Sequence, residues 1–256
     1  MRVLLIGDVM GKAGRRAVSA VVPQLRDELS LDYVIANAEN AAAGRGTTEK
    51  IARELLSAGV DVLTGGNHTW AVPEFAKSLD GALPALRPAN YPPGAPGCGV
   101  WQDHRLVVMN LIGRTFMDPV DDPFRTADRL LEQVPPDRPV VVDFHAEATS
   151  EKQAFAWHLD GRVAAVVGTH THVPSADARL LPQGTAFVTD LGMCGARDSV
   201  IGTQVEAVLT RFLSGLPTRL PPEEKGPALF RSVLVDIHDT TGKAQTIERV
   251  DRVVDG

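Results

Sequence analysis

The stretch VAAVVGTHTHVP, Val163 to Pro174, runs from five consecutive apolar residues straight into two histidines separated by one threonine. An apolar run of that length and composition predicts a buried strand, Val163 to Val167. In extended chain, alternate residues point to the same side, so His170 and His172 can face a common centre just beyond the strand end. The chain has only seven histidines, so this concentration asks for a chemical reason.

The same grammar recurs upstream. VLLI leads to Gly7 and Asp8, YVIA to Asn37, Ala38, Glu39 and Asn40, VDVLT to Gly65, Gly66, Asn67 and His68, and VVVDF to His145, Ala146 and Glu147. Strands are expected at Arg2 to Ile6, Tyr33 to Ala36, Val60 to Thr64, Arg105 to Leu111, Val140 to Phe144 and Thr185 to Val188 as well. Helical patterns lie between several of them. Thr48 can cap a helix with Ile51, Ala52, Leu55 and Leu56 on one face, ending at Gly59. Thr149 or Ser150 can cap another that ends near Gly161, and a third should span Gln204 to Leu213.

Strands alternating with helices predict an α/β protein. In a largely parallel sheet the carboxyl ends of strands gather along one edge, where open α/β folds place their ligands. The segment ALFRSVLVDIHDTTGKAQTIERVD reads as a closing antiparallel hairpin turning at Asp239 to Gly242, so the sheet system should be mixed. The Pro- and Gly-rich stretches RPANYPPGAPGCG and LPTRLPPEEKGP read as surface connections within one domain, residues 1–256.

Composition narrows the classes. Hydrophobic residues make up 44% and charged residues 23%, ordinary for a globular protein. A net charge of -6 disfavours nonspecific binding to nucleic acid or anionic membranes. Two cysteines without CxxC spacing indicate neither a disulfide framework nor a thiolate metal site, which suits a reducing cytoplasm. The apolar start MRVLLIG stops at Asp8, short of a signal sequence, and no run approaches membrane-spanning length.

His145, His170 and His172 with Asp8, Glu39, Asn40 and Asn67 make a mixed nitrogen and oxygen set at strand ends, of the kind borderline divalent metals prefer. His104, His158 and His238 lack that placement and are assigned to structure. The glycines of GDVMGKAGRR fit neither a Walker motif nor a complete GxGxxG, so they read as a strand-to-helix turn. Arg45, Arg114 and Arg197 could grip phosphate but carry no assignment.

Taken in order, Gly7-Asp8, Gly66-Asn67-His68, His145 and GTHTH resemble the calcineurin-like metallophosphoesterases, whose pattern runs DxH, GDxxD, GNH[DE], a lone His and GHxH. Met10 stands where the first histidine would be, and NAEN where a bridging aspartate would be. Those departures, with DFHAEATSEK, GTHTHVP and TDLGM, are similar to the YmdB subfamily, bacterial phosphoesterases regarded as cyclic-nucleotide phosphodiesterases. The resemblance implies a sandwich of two mixed β-sheets flanked by helices with two metal ions at the strand ends, iron or manganese foremost and zinc next. It implies Asp8, Asn40 and His172 on one metal, Asn67, His145 and His170 on the other, Glu39 bridging, and His68 as proton donor. Glu147 and Asp190 are candidates for supporting the ligands.

Such a pair of ions, about 4 Å apart, could acidify a bridging water and clamp the phosphoryl group for in-line attack by the hydroxide. The expected substrates are nucleotide phosphodiesters, 2',3'- or 3',5'-cyclic nucleotides by resemblance, with room for the end of an RNA. The alternatives are a phosphomonoesterase or nucleotidase on the same metals, and a non-catalytic module binding nucleotide or RNA. An amidohydrolase also uses HxH, but on its first barrel strand. A homo-oligomer is compatible with this size, although no interface is readable.

Overall fold

A strand that is apolar on both faces must be covered on both, and here that requirement produces layers. The computed structural model describes residues 1–256. Its strands are β1 (Arg2–Ile6), β2 (Asp8–Val9), β3 (Tyr33–Asn37), β4 (Val62–Thr64), β5 (Val100–Gln102), β6 (Val107–Ile112), β7 (Val140–His145) and β8 (Ala165–Thr169). They continue with β9 (Arg179–Leu180), β10 (Ala186–Val188), β11 (Met193–Ala196), β12 (Ala228–Phe230), β13 (Ser232–Ile237), β14 (Ala244–Arg249) and β15 (Arg252–Val254). The helices are α1 (Gly11–Leu29), α2 (Glu49–Ser57), α3 (Phe75–Leu79), α4 (Pro123–Leu131), α5 (Thr149–Leu159) and α6 (Val205–Ser214).

Two mixed sheets face each other. One has the order β14-β13-β1-β3-β4, the other β5-β6-β7-β8-β10-β9. Val3, Leu5, Ile35, Val62 and Val233 of the first pack against Val108, Val141, Val167 and Val188 of the second. The alternate residues turn outward. Leu4, Ile6, Val34 and Leu63 meet Ala17, Val21 and Leu25 of α1 and Leu55 of α2. Val107, Met109, Val142 and Phe144 meet Phe155 and Leu159 of α5. The expected α/β sandwich of two mixed sheets flanked by helices is therefore present, in four layers.

A smaller sheet, β15-β12-β11-β2, was not anticipated. It pairs Asp8 with Met193 and Val9 with Cys194, fixing the segment just beyond β1. The terminal hairpin forms as read, β13 antiparallel to β14, with β13 also antiparallel to β1.

The local chemistry explains most boundaries. Thr48 Oγ1 accepts the Ile51 amide at 3.2 Å, capping α2 as expected. Neither Thr149 nor Ser150 caps α5: the cap position is Ala148, which has no side-chain hydrogen bond, and both hydroxyl residues lie in the first turn. Gly11 opens α1 with φ 58°, and at Gly14 a β-carbon would lie 2.2 Å from the Cys194 carbonyl oxygen. The glycine run after Asp8 thus serves a turn and a close approach.

Candidate metal centre

β1, β3 and β4 run parallel in one sheet, as do β6, β7, β8 and β10 in the other. Their carboxyl ends deliver Asp8, then Glu39 and Asn40, then Asn67 and His68, then His145, then His170 and His172. Glu39, Asn40, His68, His170 and His172 line one cleft of about 360 Å³, with Met10, Gly44, Glu147, Thr171, Ile201 and Thr203. Asp8, Glu39 and His145 lie buried at its floor.

Proton placement, assigned from hydrogen-bond partners, decides what the floor can hold. Thr169 Oγ1 donates to Asp143 Oδ1 at 2.7 Å, so its 2.9 Å contact with His145 Nδ1 has the imidazole donating. His145 Nε2 then faces Asn67 Oδ1 at 3.0 Å, Glu39 Oε1 at 3.2 Å and His170 Nδ1 at 3.0 Å. His170 Nε2 lies 3.1 Å from Glu147 Oε2 and donates to it, leaving Nδ1 with its lone pair inward. Four acceptor atoms on four residues converge, and only a proton or a cation can sit among them. Glu39, His145 and His170 have ligand atoms within 4.8 Å of one another.

A second group lies beside the first. His172 Nδ1 donates to the Ile201 carbonyl at 2.9 Å, which turns Nε2 toward Asn40 Oδ1 at 3.3 Å and Asp8 Oδ1 at 4.0 Å. Asp8 Oδ1 is buried without any hydrogen-bond partner, a costly state for a carboxylate oxygen unless a cation meets it. The inward lone pairs and the nitrogen and oxygen donor set around Glu39, His145 and His170 fit a metal ion, and the orphaned Asp8 oxygen beside them offers a further acceptor.

The electrostatics tell the same story. Burial pushes the Asp8 carboxyl up to about 6, against the pull of His172 and His145. Burial draws His145 down, but Glu39 and Asp8 outweigh it and hold the imidazolium to about 9. Burial, with His145 alongside, lowers His170 to about 3. Metal-free, the floor keeps one proton on His145, in the place a cation would take.

Backbone conformation differs from the extended reading of GTHTH. β8 ends at Thr169, and His170 and His172 have φ 101° and 66°. Each left-handed non-glycine residue costs about 1–3 kcal/mol. The two rings reach the centre because the backbone is bent, with period-two alternation playing no part. Gly66 gives the floor its room: a β-carbon there would lie 2.3 Å from Glu39 Oε2 and 2.4 Å from His145 Nε2.

His68 sits at the rim, half-way out of the floor. Its amide donates to Glu39 Oε2 at 2.8 Å. Asn40 Nδ2 donates to Gly44 O at 3.0 Å, and His68 Nδ1 lies between Asn40 Nδ2 at 3.1 Å and Glu39 Oε1 at 3.3 Å, so that nitrogen is engaged by the floor. The remaining histidines are elsewhere: His158 pairs with Asp128 at 2.9 Å, His104 is exposed, and His238 accepts the Thr240 and Thr241 amides. Arg114 pairs with Asp122 and Arg197 with Asp198. Asp143, Thr169 and the Ile201 carbonyl were missed from sequence, since an orienting threonine or a carbonyl leaves no spacing signal.

The model of the YmdB-like protein family matches residues 4–250. The chain belongs to the YmdB-like family. It is 47% identical over 255 residues, 98% of this chain and 96% of the relative, to a 2',3'-cyclic-nucleotide 2'-phosphodiesterase of Bacillus subtilis (strain 168). The crystal structure of a novel phosphatase from Mycoplasma pneumoniae superposes with TM-score 0.93 at 36% identity, covering 100% of this chain and 94% of that one. The NAD nucleotidase of Haemophilus influenzae shares the fold alone, with TM-score 0.58 and 12% identity over 100% of this chain and 56% of that one. In this YmdB-like chain the cleft opens at the carboxyl ends of the parallel strands of the two facing sheets.

Proposed function

We propose that residues 1–256 act as one dinuclear metal phosphodiesterase domain that hydrolyses nucleoside cyclic phosphates, 2',3'-cyclic nucleotides foremost. The observation that carries this reading is the convergence of four acceptor atoms on the cleft floor beside the partnerless Asp8 oxygen. Asn67, His145 and His170 would hold one ion, Asp8, Asn40 and His172 the other, and Glu39 both. Iron or manganese suits these donors, zinc less so. When bound, the pair supplies Lewis acidity and a nucleophile at neutral pH. The phosphodiesterase named among the relatives supports this substrate class.

The chain's own residues set the rest. His68 lines the cleft with Nδ1 3.3 Å from Glu39 Oε1, and in its doubly protonated form it can give a proton to the departing alkoxide. No lysine or arginine lines the cleft, and Glu147 does. A diester carries one negative charge and a monoester nearly two, so this lining favours the diester over the phosphomonoesterase or nucleotidase alternative. The open rim admits a nucleotide. No helix is long and apolar enough to cross a membrane.

The test is turnover of 2',3'-cyclic AMP, 3',5'-cyclic AMP, bis(p-nitrophenyl) phosphate and p-nitrophenyl phosphate by Mn-loaded protein, with chelator and Asn67→Ala controls. Diester turnover abolished by both controls is the expected result. Equal rates for Asn67→Ala and wild type would overturn the site, and faster monoester turnover would overturn the substrate class. Tight nucleotide binding without any turnover would establish a binding module.

A further inference from the structure

Two residues of the DFHAEATSEK and TDLGM segments lie outside the proposed ligand set yet are among the most deeply placed charges in the molecule. Lys152, on α5, donates from Nζ to Asp190 Oδ2 at 2.7 Å, and their side chains are 1% and 3% exposed. Taking both charges out of water is expensive, and apolar residues of similar size would often serve stability as well. The pair therefore asks for a use other than packing.

The Asp190 carboxylate accepts three further hydrogen bonds, from the Thr171 amide and hydroxyl and from the Gly192 amide. Its Oδ2 accepts the Thr171 amide at 3.2 Å and the Thr171 hydroxyl at 2.8 Å. Its Oδ1 accepts the Gly192 amide at 2.8 Å. Thr171 is the residue between His170 and His172, both left-handed. Gly192 in turn accepts the Asp8 amide on its carbonyl at 3.1 Å, and Asp8 Oδ2 accepts the His170 amide at 3.2 Å. One carboxylate thus grips the chain beside three proposed ligands that serve two different ions.

We propose that Lys152 and Asp190 form a buried clamp that positions His170, His172 and Asp8 through Thr171 and Gly192, so that both metal sites depend on it together. Lys152 aims and neutralises the carboxylate; Asp190 holds the bent HTH segment in its unfavourable backbone shape. Both are positioning residues, since neither lines the cleft. The proposal rests on the dinuclear reading above.

The test titrates Mn²⁺ into the full-length wild type, Thr171→Val, a Lys152→Met/Asp190→Leu double variant and Asn40→Ala, following free Mn²⁺ by electron paramagnetic resonance. Thermal unfolding of each chelated protein is recorded alongside. The double variant is chosen because Lys152→Met alone strands a buried carboxylate. Folded Thr171→Val and double variants should bind Mn²⁺ about 10- to 100-fold more weakly at both sites, whereas Asn40→Ala should weaken one site. Wild-type affinity in folded variants would overturn the clamp. If the double variant does not fold, Thr171→Val decides alone. A wild type that binds no Mn²⁺ overturns the dinuclear reading and the clamp with it, so the wild-type titration separates the two failures.

Discussion

Glu147 Oε2 lies 3.1 Å from His170 Nε2, which commits the opposite nitrogen of that ring to the cleft floor. A carboxylate behind a ligating histidine fixes its tautomer and raises its basicity. Glu147→Ala is expected to lower Mn²⁺ affinity about tenfold with little change in melting temperature, because the carboxyl is half exposed. Glu147→Gln, which keeps an acceptor, should lose less. Isothermal titration of both variants checks the order.

Thr169 performs the same service for His145 through its hydroxyl. Thr169→Val keeps the shape but removes both the acceptor for His145 Nδ1 and the donor to Asp143, so metal affinity and kcat should fall about 10- to 100-fold. Thr169→Ser should restore most of both. Failure of serine to rescue would point to packing.

Gly66→Ala leaves every proposed ligand in place, yet its methyl would occupy the space of Glu39 Oε2 and His145 Nε2. The expected outcome is a folded protein with less than one metal per chain by elemental analysis. Two metals per chain in that variant would mean that the floor is looser than these distances imply.

His68→Gln should reduce kcat about 10²- to 10⁴-fold for a cyclic nucleotide, whose alkoxide needs a proton. The loss should be much smaller for bis(p-nitrophenyl) phosphate, whose leaving phenolate does not. Parallel kcat measurements on the two substrates supply the comparison; equal losses would assign His68 to metal support.

Burial pushes the Cys194 thiol up from 9.0 to about 12, so it stays a neutral thiol in the folded protein at pH 8. A thiol-reactive disulfide reagent should label the exposed Cys98 alone, and both cysteines after denaturation. Because the folded value is the higher one, the thiol's contribution to stability is full below about pH 9 and declines as pH rises toward 12. Denaturant midpoints at pH 8 and 10 should show that decline.

The layering was legible because Val3 to Ile6, Tyr33 to Ala36 and Val140 to Val142 are apolar without alternation, which only a strand covered on both faces requires. The polar residues closing those runs fell to the right edge for the same reason, since parallel strands leave their carboxyl ends together. What escaped was tertiary. The pairing of Asp8 with Met193 depends on a two-residue strand with no periodicity, and the bend at His170 and His172 is imposed by distant Asp190. Side chains that orient others, such as Thr169 and Lys152, look like ordinary strand and helix residues until the layers are assembled.

The antiparallel partner of β1 is β13, and β2 leans on β11, so the first proposed ligand is braced by chain made almost two hundred residues later. Asp8 is synthesised early, when β3 can already pair with β1, but the strand that pairs with Asp8 itself, β11, comes much later. Metal capture should therefore wait for β11, and chains truncated before β11 should remain metal-free.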